Sequence, residues 1–365
     1  MAQVVLENKP ESYEKLGVQQ GKVAVWEDGK RDDDRAGSYE WWYFDGIFDD
    51  GSKVVMAFNT KGHSDTQKEG AQPLVMINIT SPEGKTYRTD LNYSAAEATF
   101  ATENCDVKIG PHRVSGNLED YDIHFEPKEG IGADLHLNST STPWRPGSGY
   151  YNFGNDLYFT WLCVVPTGKL SGTLTYNGKT VTANGTGYHD HQWGDINTFV
   201  TYNNWLWARQ NFSDYTILNF DIVTSRDYNY QRLPMTFIQD KKGNLIFENF
   251  DPKNVKYEVF EEYEQEDTGK LFPKDSQYTW EKDDIKVQYR LKVTKEIGLE
   301  KLYADAPEPV QKQFDALDLY PGYARDAAIG ELTITTDGKT IKDSGELIYE
   351  FPSVGKEYKP YMVTD

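Results

Sequence analysis

Cysteine is nearly absent, with Cys105 and Cys163 the only two in 365 residues. Two thiols make no disulfide framework, and neither sits in a metal-binding spacing, so both are expected to be buried and free. Positive charge is scarce as well. Lys and Arg number 38 against 58 Asp and Glu, a formal net charge of −20. That balance argues against nucleic acid and against an anionic membrane surface, both of which attract basic patches. No apolar run approaches the length of a bilayer span. Met1–Pro10 lacks the apolar core of a signal peptide, so a soluble cytoplasmic chain without membrane insertion is expected. Sequons at Asn78, Asn92, Asn138, Asn184 and Asn211 keep secretion open should a leader be missing from this sequence. Several catalytic signatures are also missing. There is no Gly-x-Ser-x-Gly, no Cys/His pairing, no phosphate loop and no dinucleotide fingerprint, so no cofactor is assigned. No repeat of solenoid or propeller length occurs.

What the chain has in quantity is aromatic residues, 14% of the total with 25 Tyr, 17 Phe and 9 Trp. Such residues suit half-buried strands and the walls of apolar pockets. Short alternating runs separated by Gly, Pro and Asp fill most of the sequence. Ser38–Phe48 and Lys53–Asn59 flank a turn, as do Leu74–Thr80 and Thr86–Tyr93. Tyr158–Val165, Leu170–Tyr176, Tyr215–Thr224 and Ile285–Lys295 continue the cadence. The one helix with clear signals is Glu308–Leu317, and residues 1–36, ending in the charge run Glu27–Arg35, read as a solvated arm. Chain length exceeds what one core serves. The expectation is an all-β protein of two antiparallel β-barrel domains, residues 25–200 and 201–358, with one short helix near the C-terminus.

The stretch richest in chemistry is Gly187-Tyr188-His189-Asp190-His191-Gln192-Trp193-Gly194-Asp195. In a strand, His189, His191 and Trp193 share one face and Asp190 and Gln192 the other. Trp205, Trp207 and Arg209 share a face in the same way, and the two strands are expected to wall one site. Glu40 sits among Trp41, Trp42, Tyr43 and Phe44. A carboxylate there is costly unless paired or protonated. It is a candidate general acid or a buried partner for Arg209. His-x-His can also present two metal ligands, but His63, His112, His124 and His136 nominate no third, so no metal is assigned. Two hydrogen-bonded core imidazoles and an acid–base role both stay open.

Glu40-Trp41-Trp42-Tyr43-Phe44-Asp45-Gly46, the Gly187–Gly194 motif and the later Trp205-Leu206-Trp207-Ala208-Arg209 together resemble the carotenoid 1,2-hydratase and AttH-like family. Kievitone hydratase and the lipocalin-like fungal Diels–Alderases share the plan. The resemblance runs from roughly residue 25 to residue 355. It implies two lipocalin-like barrels and a hydrophobic small-molecule substrate. It places the hydratases' catalytic His and Trp on His191 and Trp193. Their Tyr-x-Asp pair falls on Asn219-Phe220-Asp221, which keeps the Asp and carries Asn for Tyr. The expected reaction is hydration of a C=C bond in a terpenoid, carotenoid or prenylated compound. His191 with Asp190 or Asp221 would move the proton. Trp193, Trp205 and Trp207 would face a cation, with Trp42 and His189 lining the pocket and Glu40 and Arg209 paired. A pericyclase acting on a polyene and a carrier without turnover are the alternatives.

Overall fold

A computed structural model describes residues 3–266 and 268–356, the side chain of His63 aside. Two curled antiparallel sheets carry almost all of the regular structure, and both are lipocalin-like half-barrels. The chain divides into two compact units. One comprises residues 5–196 with 242–244, and the other residues 197–241 and 245–356 with residues 3 and 4.

The first sheet grows mostly by hairpins. Its order runs Thr86–Asn92, Leu74–Thr80, Lys53–Asn59, Tyr39–Phe48, Lys179–Gly194, Leu157–Tyr176, Ile131–Ser139, Asp120–Lys128, His112–Gly116, Cys105–Ile109 and Ala98–Phe100. Tight turns in the left-handed region close several of these hairpins, as at Asn177 (φ 51°) and Gly178 (φ 70°). One pairing is not local. Tyr39–Phe48 lies against Lys179–Gly194 with Glu40 opposite Trp193, Trp42 opposite His191 and Phe44 opposite His189. The two aromatic motifs of the sequence are therefore neighbours in space.

The second sheet repeats the scheme. Leu245–Asn249, Arg232–Asp240, Tyr215–Thr224 and Tyr202–Asn211 form one run of hairpins. Lys339–Gly355 joins it to Leu319–Thr336, Ile285–Glu300, Leu271–Lys282 and Val255–Glu264. Alternation along each strand separates an interior face from an outer one. The interiors hold two apolar clusters, one around Trp42, Phe44, Ile77, Val107 and Leu162, the other around Leu206, Ile217, Phe272, Tyr289 and Phe351.

Four sequence expectations change. The runs at 158–165 and 170–176 are one strand, Leu157–Tyr176, whose register shifts past Cys163 and Val165 accommodate Pro166 and Gly168. Val255–Glu264, rich in Glu, is also a strand. The helix at Glu308–Ala316 is joined by two others among the described residues, Pro10–Leu16 and Thr198–Thr201. The supposed solvated arm is not solvated where it matters, because Glu27, Asp28 and Asp32 are buried. Both cysteines are buried, and neither is in a disulfide. No described helix is long and apolar enough to cross a membrane.

Candidate functional site

The pairing of Tyr39–Phe48 with Lys179–Gly194 turns Glu40, Trp42, Phe44, His189, His191 and Trp193 to the interior. A short 3-10 turn, Val25–Asp28, lies against them. His191 is fully buried, stacks on Trp42 at 4.7 Å and donates from Nε2 to Glu40 Oε1 at 2.7 Å. Its Nδ1 faces the Glu27 carbonyl at 3.2 Å. Glu40 also accepts from the backbone N–H groups of Arg31 and Asp32, at 2.7 and 2.8 Å. His189 stacks on Phe44 at 3.9 Å, donates from Nδ1 to the Tyr43 carbonyl and places Nε2 3.2 Å from Asp28 Oδ2. The Tyr121 hydroxyl donates to the same Asp28 oxygen at 2.5 Å, and the Trp42 indole donates to the Asp28 carbonyl. Arg145 closes the network on Glu27 at 2.7 Å.

These bonds tie residues 27–32 to the barrel wall, and that determines what the histidines can do. Every ring nitrogen of His189 and His191 is committed to a carbonyl or a carboxylate, and no member of the pair is exposed. Glu40 is paired with His191 and two backbone amides. Asp28, Cys105 and His189 bring donor atoms within 4.8 Å of one another, the one such convergence of metal-ligating types among the described residues. Asp28 Oδ2 and His189 already have protein partners there, and burial beside Asp28 pushes the Cys105 thiol well up, towards its protonated form. We read the set as part of the anchor.

The outer face of the same strands is different. Trp41, Tyr43 and Asp45 share it with Tyr188, Asp190 and Gln192, and Trp161 and Cys163 continue it on the next strand. Asp190 is 6% exposed. One of its oxygens accepts from the Tyr188 hydroxyl at 2.8 Å, and the Trp161 indole also acts on the carboxyl. Burial pushes this carboxyl up to about 7, against the opposing pulls of the Tyr188 hydroxyl, His189 and the Trp161 indole. Tyr43 meets Tyr188 edge-on at 6.2 Å. A carboxyl poised near neutrality on an aromatic floor can give up and recover a proton.

The expected grouping of His191 with Asp190 therefore divides, since consecutive strand residues face opposite ways. Asp221 and the tryptophans of the second unit divide as well. Asp221 pairs in register with Leu206 on the interior face, held by Arg232 and by the Tyr278 hydroxyl at 2.8 Å. Burial raises its pKa even so. Trp205, Trp207 and Arg209 point to the outer face, opposite Ile222, Phe220 and Leu218. Sequence reasoning missed Glu27, Asp28, Tyr121 and Arg145, and Tyr188 and Trp161 beside Asp190. The apolar Val23-Ala24-Val25-Trp26 ahead of the acidic pair was the available sign that this segment is buried.

Comparison with known proteins gives a consistent picture. The family model described as AttH-like matches residues 31–297. A structure described as an AttH protein of Nitrosomonas europaea shares 15% identity at a TM-score of 0.57, covering 89% of this chain and 95% of its own. CghA in complex with Sch210972 shares 13% at 0.59, covering 93% and 98%. Kievitone hydratase from Nectria haematococca shares 13% at 0.55, covering 93% and 95%. Among curated proteins none matches the sequence. At these identities the likeness is one of fold.

Proposed function

Because the chain belongs to the AttH-like family, we propose that it is an enzyme that adds water to a C=C bond of an apolar small molecule such as a terpenoid or prenylated compound, with Asp190 as the acid–base residue. The observation that carries this reading is the Asp190 carboxyl, buried on an aromatic face, held by the Tyr188 hydroxyl and pushed by burial up to about 7. In the proposed reaction neutral Asp190 gives its proton to one alkene carbon. The faces of Tyr43, Tyr188 and Trp161 stabilise the cation left on the other carbon. Water adds to that cation, and the oxonium so formed returns a proton to the Asp190 carboxylate. One water is consumed and the carboxyl is restored. His191, Glu40 and Trp42 act here only by holding the strand that carries Asp190.

A second reading draws on the likeness to CghA, which is a Diels–Alderase. In that case the same aromatic face folds a polyene and lowers the entropic barrier to cyclisation. Incubating acyclic prenyl alcohols, prenylated flavonoids and linear polyenes with the protein in ¹⁸O-labelled water separates the readings. Product heavier by one labelled water is expected. Product of unchanged mass and new retention time supports the pericyclase, and compounds that bind unaltered support the carrier. Asp190→Asn should lower hydration by about 10²- to 10⁴-fold with little change in binding. Since the acid form is the active one, the wild-type rate should fall as pH rises through about 7. A hydration rate equal in Asp190→Asn and wild type would sink the assignment.

A further inference from the structure

The face that carries Asp190 holds a second carboxylate. Across Tyr39–Phe48 and Lys179–Gly194, Asp190 pairs in register with Tyr43, and Tyr188 with Asp45. Residues two apart on a strand share a face, so Asp45 is a diagonal neighbour of Asp190 on the outer side. Such neighbours lie about 7–8 Å apart, and somewhat less between side chains. Asp45 is half-buried, whereas Asp190 is 6% exposed. The charge of Asp45 acts on Asp190 in the same direction as burial, holding its proton on. The Tyr188 hydroxyl, the Trp161 indole and His189, on the other side of the strand, pull the opposite way. Tyr43 and Cys163 flank Asp190 in the same cross-strand row.

Two carboxyls in unlike surroundings on one surface are how some enzymes divide acid work from water activation. Spacing decides whether a water fits. A water hydrogen-bonded to both groups at about 2.8 Å spans about 5.6 Å between their oxygens. Glycoside-cleaving enzymes that activate a water between two carboxyls space them by about 6.5–9.5 Å. Diagonal strand neighbours fall in that range. A water placed there has one O–H on Asp45 and the other on Asp190 once that residue has given up its proton. Its lone pair then faces the carbon that carries the positive charge. Both groups lie on the sheet side of a substrate resting on Tyr43 and Tyr188.

We propose that Asp45 is a second catalytic residue of the Asp190 site: its carboxylate holds the water that adds to the C=C bond, so hydrogen and hydroxyl arrive on the same face of the alkene. This rests on the hydratase reading above. Asp190 gives its proton to one carbon, the held water forms the C–O bond at the other, and the proton it sheds returns to the Asp190 carboxylate. Asp45 ends as it began. The probes are geraniol and a geraniol homologue with one methyl and one ethyl group on the terminal alkene carbon. Wild type should hydrate the homologue in D₂O by syn addition, read by NMR against synthetic syn and anti products; this readout needs no variant to fold. With geraniol, Asp45→Asn should lower kcat about 10²-fold with KM little changed. Its fall in rate should also move to lower pH, because no neighbouring charge then holds the proton on Asp190. Asp45→Glu should restore most of both, which loss of a merely structural contact would not explain. Anti addition, or wild-type kcat in Asp45→Asn, overturns the role of Asp45 and leaves the Asp190→Asn test of the acid standing. If wild type hydrates neither probe, both readings fall.

Discussion

Inside the first half-barrel, nearly every polar group of the Asp28 network meets a partner: two imidazoles, three carboxylates, a phenol, an indole and an arginine knit one segment to three strands and the loop that carries Arg145. Inside the second, Asn219, Asp221, Ser276 and Trp280 each end in an unmatched atom. The sheets are alike in plan, so the difference lies in what fills them. The first interior takes in the protein's own chain, residues 27–32. The second keeps polar surface facing inward. A shared fold thus leaves the chemistry of each interior to a handful of side chains.

The contrast can be broken from either side. The largest effect is expected from Glu40→Leu, which strands His191 and two buried amides and should cost about 3–5 kcal/mol in urea unfolding. A cost no greater than that of Tyr278→Phe would mean that the anchor is not the tighter of the two networks. Next is Asp326→Asn in the second interior. Burial and the nearby Glu296 push Asp326 up to about 7, although the Tyr263 hydroxyl donates to it. A carboxyl raised on folding is protonated in both states below about pH 4 and penalises folding increasingly as pH rises to about 7. The variant should therefore gain on wild type over that window by up to about 4 kcal/mol, read from urea midpoints at its two ends. Tyr278→Phe removes one donor from Asp221 and should cost about 1–2 kcal/mol. Least affected will be Lys312→Ala, whose pairing with Glu308 on an exposed helix face is worth below about 0.5 kcal/mol.

The fold was legible because alternation and turn chemistry are local. Lys53–Asn59 and Leu74–Thr80 have the bounds that their apolar periods and flanking turns indicate. Leu157–Tyr176 was not legible as one strand, because Pro166 and Gly168 mimic a break that a bulge absorbs. The site was half legible. Strand parity alone puts His191 and Asp190 on opposite faces, yet which face is interior depends on a partner strand far away in sequence. The role of His191 rests on Glu27, Asp28 and Arg31, whose charge-rich surroundings mark them as solvated in any local reading. Long-range burial of a charged segment leaves no periodic trace.

The pairing of Tyr39–Phe48 with Lys179–Gly194 also sets a schedule for biosynthesis. The early strand has its hairpin partner at once, but its other edge and the residues that receive the 27–32 segment arrive only with the late strand. Closing so long a loop is slow, and until then the early edge presents open backbone and apolar side chains. On the ribosome the first half-barrel therefore waits for residue 194 to emerge, and the interval before that is when this chain is most exposed to misassembly and most dependent on chaperones.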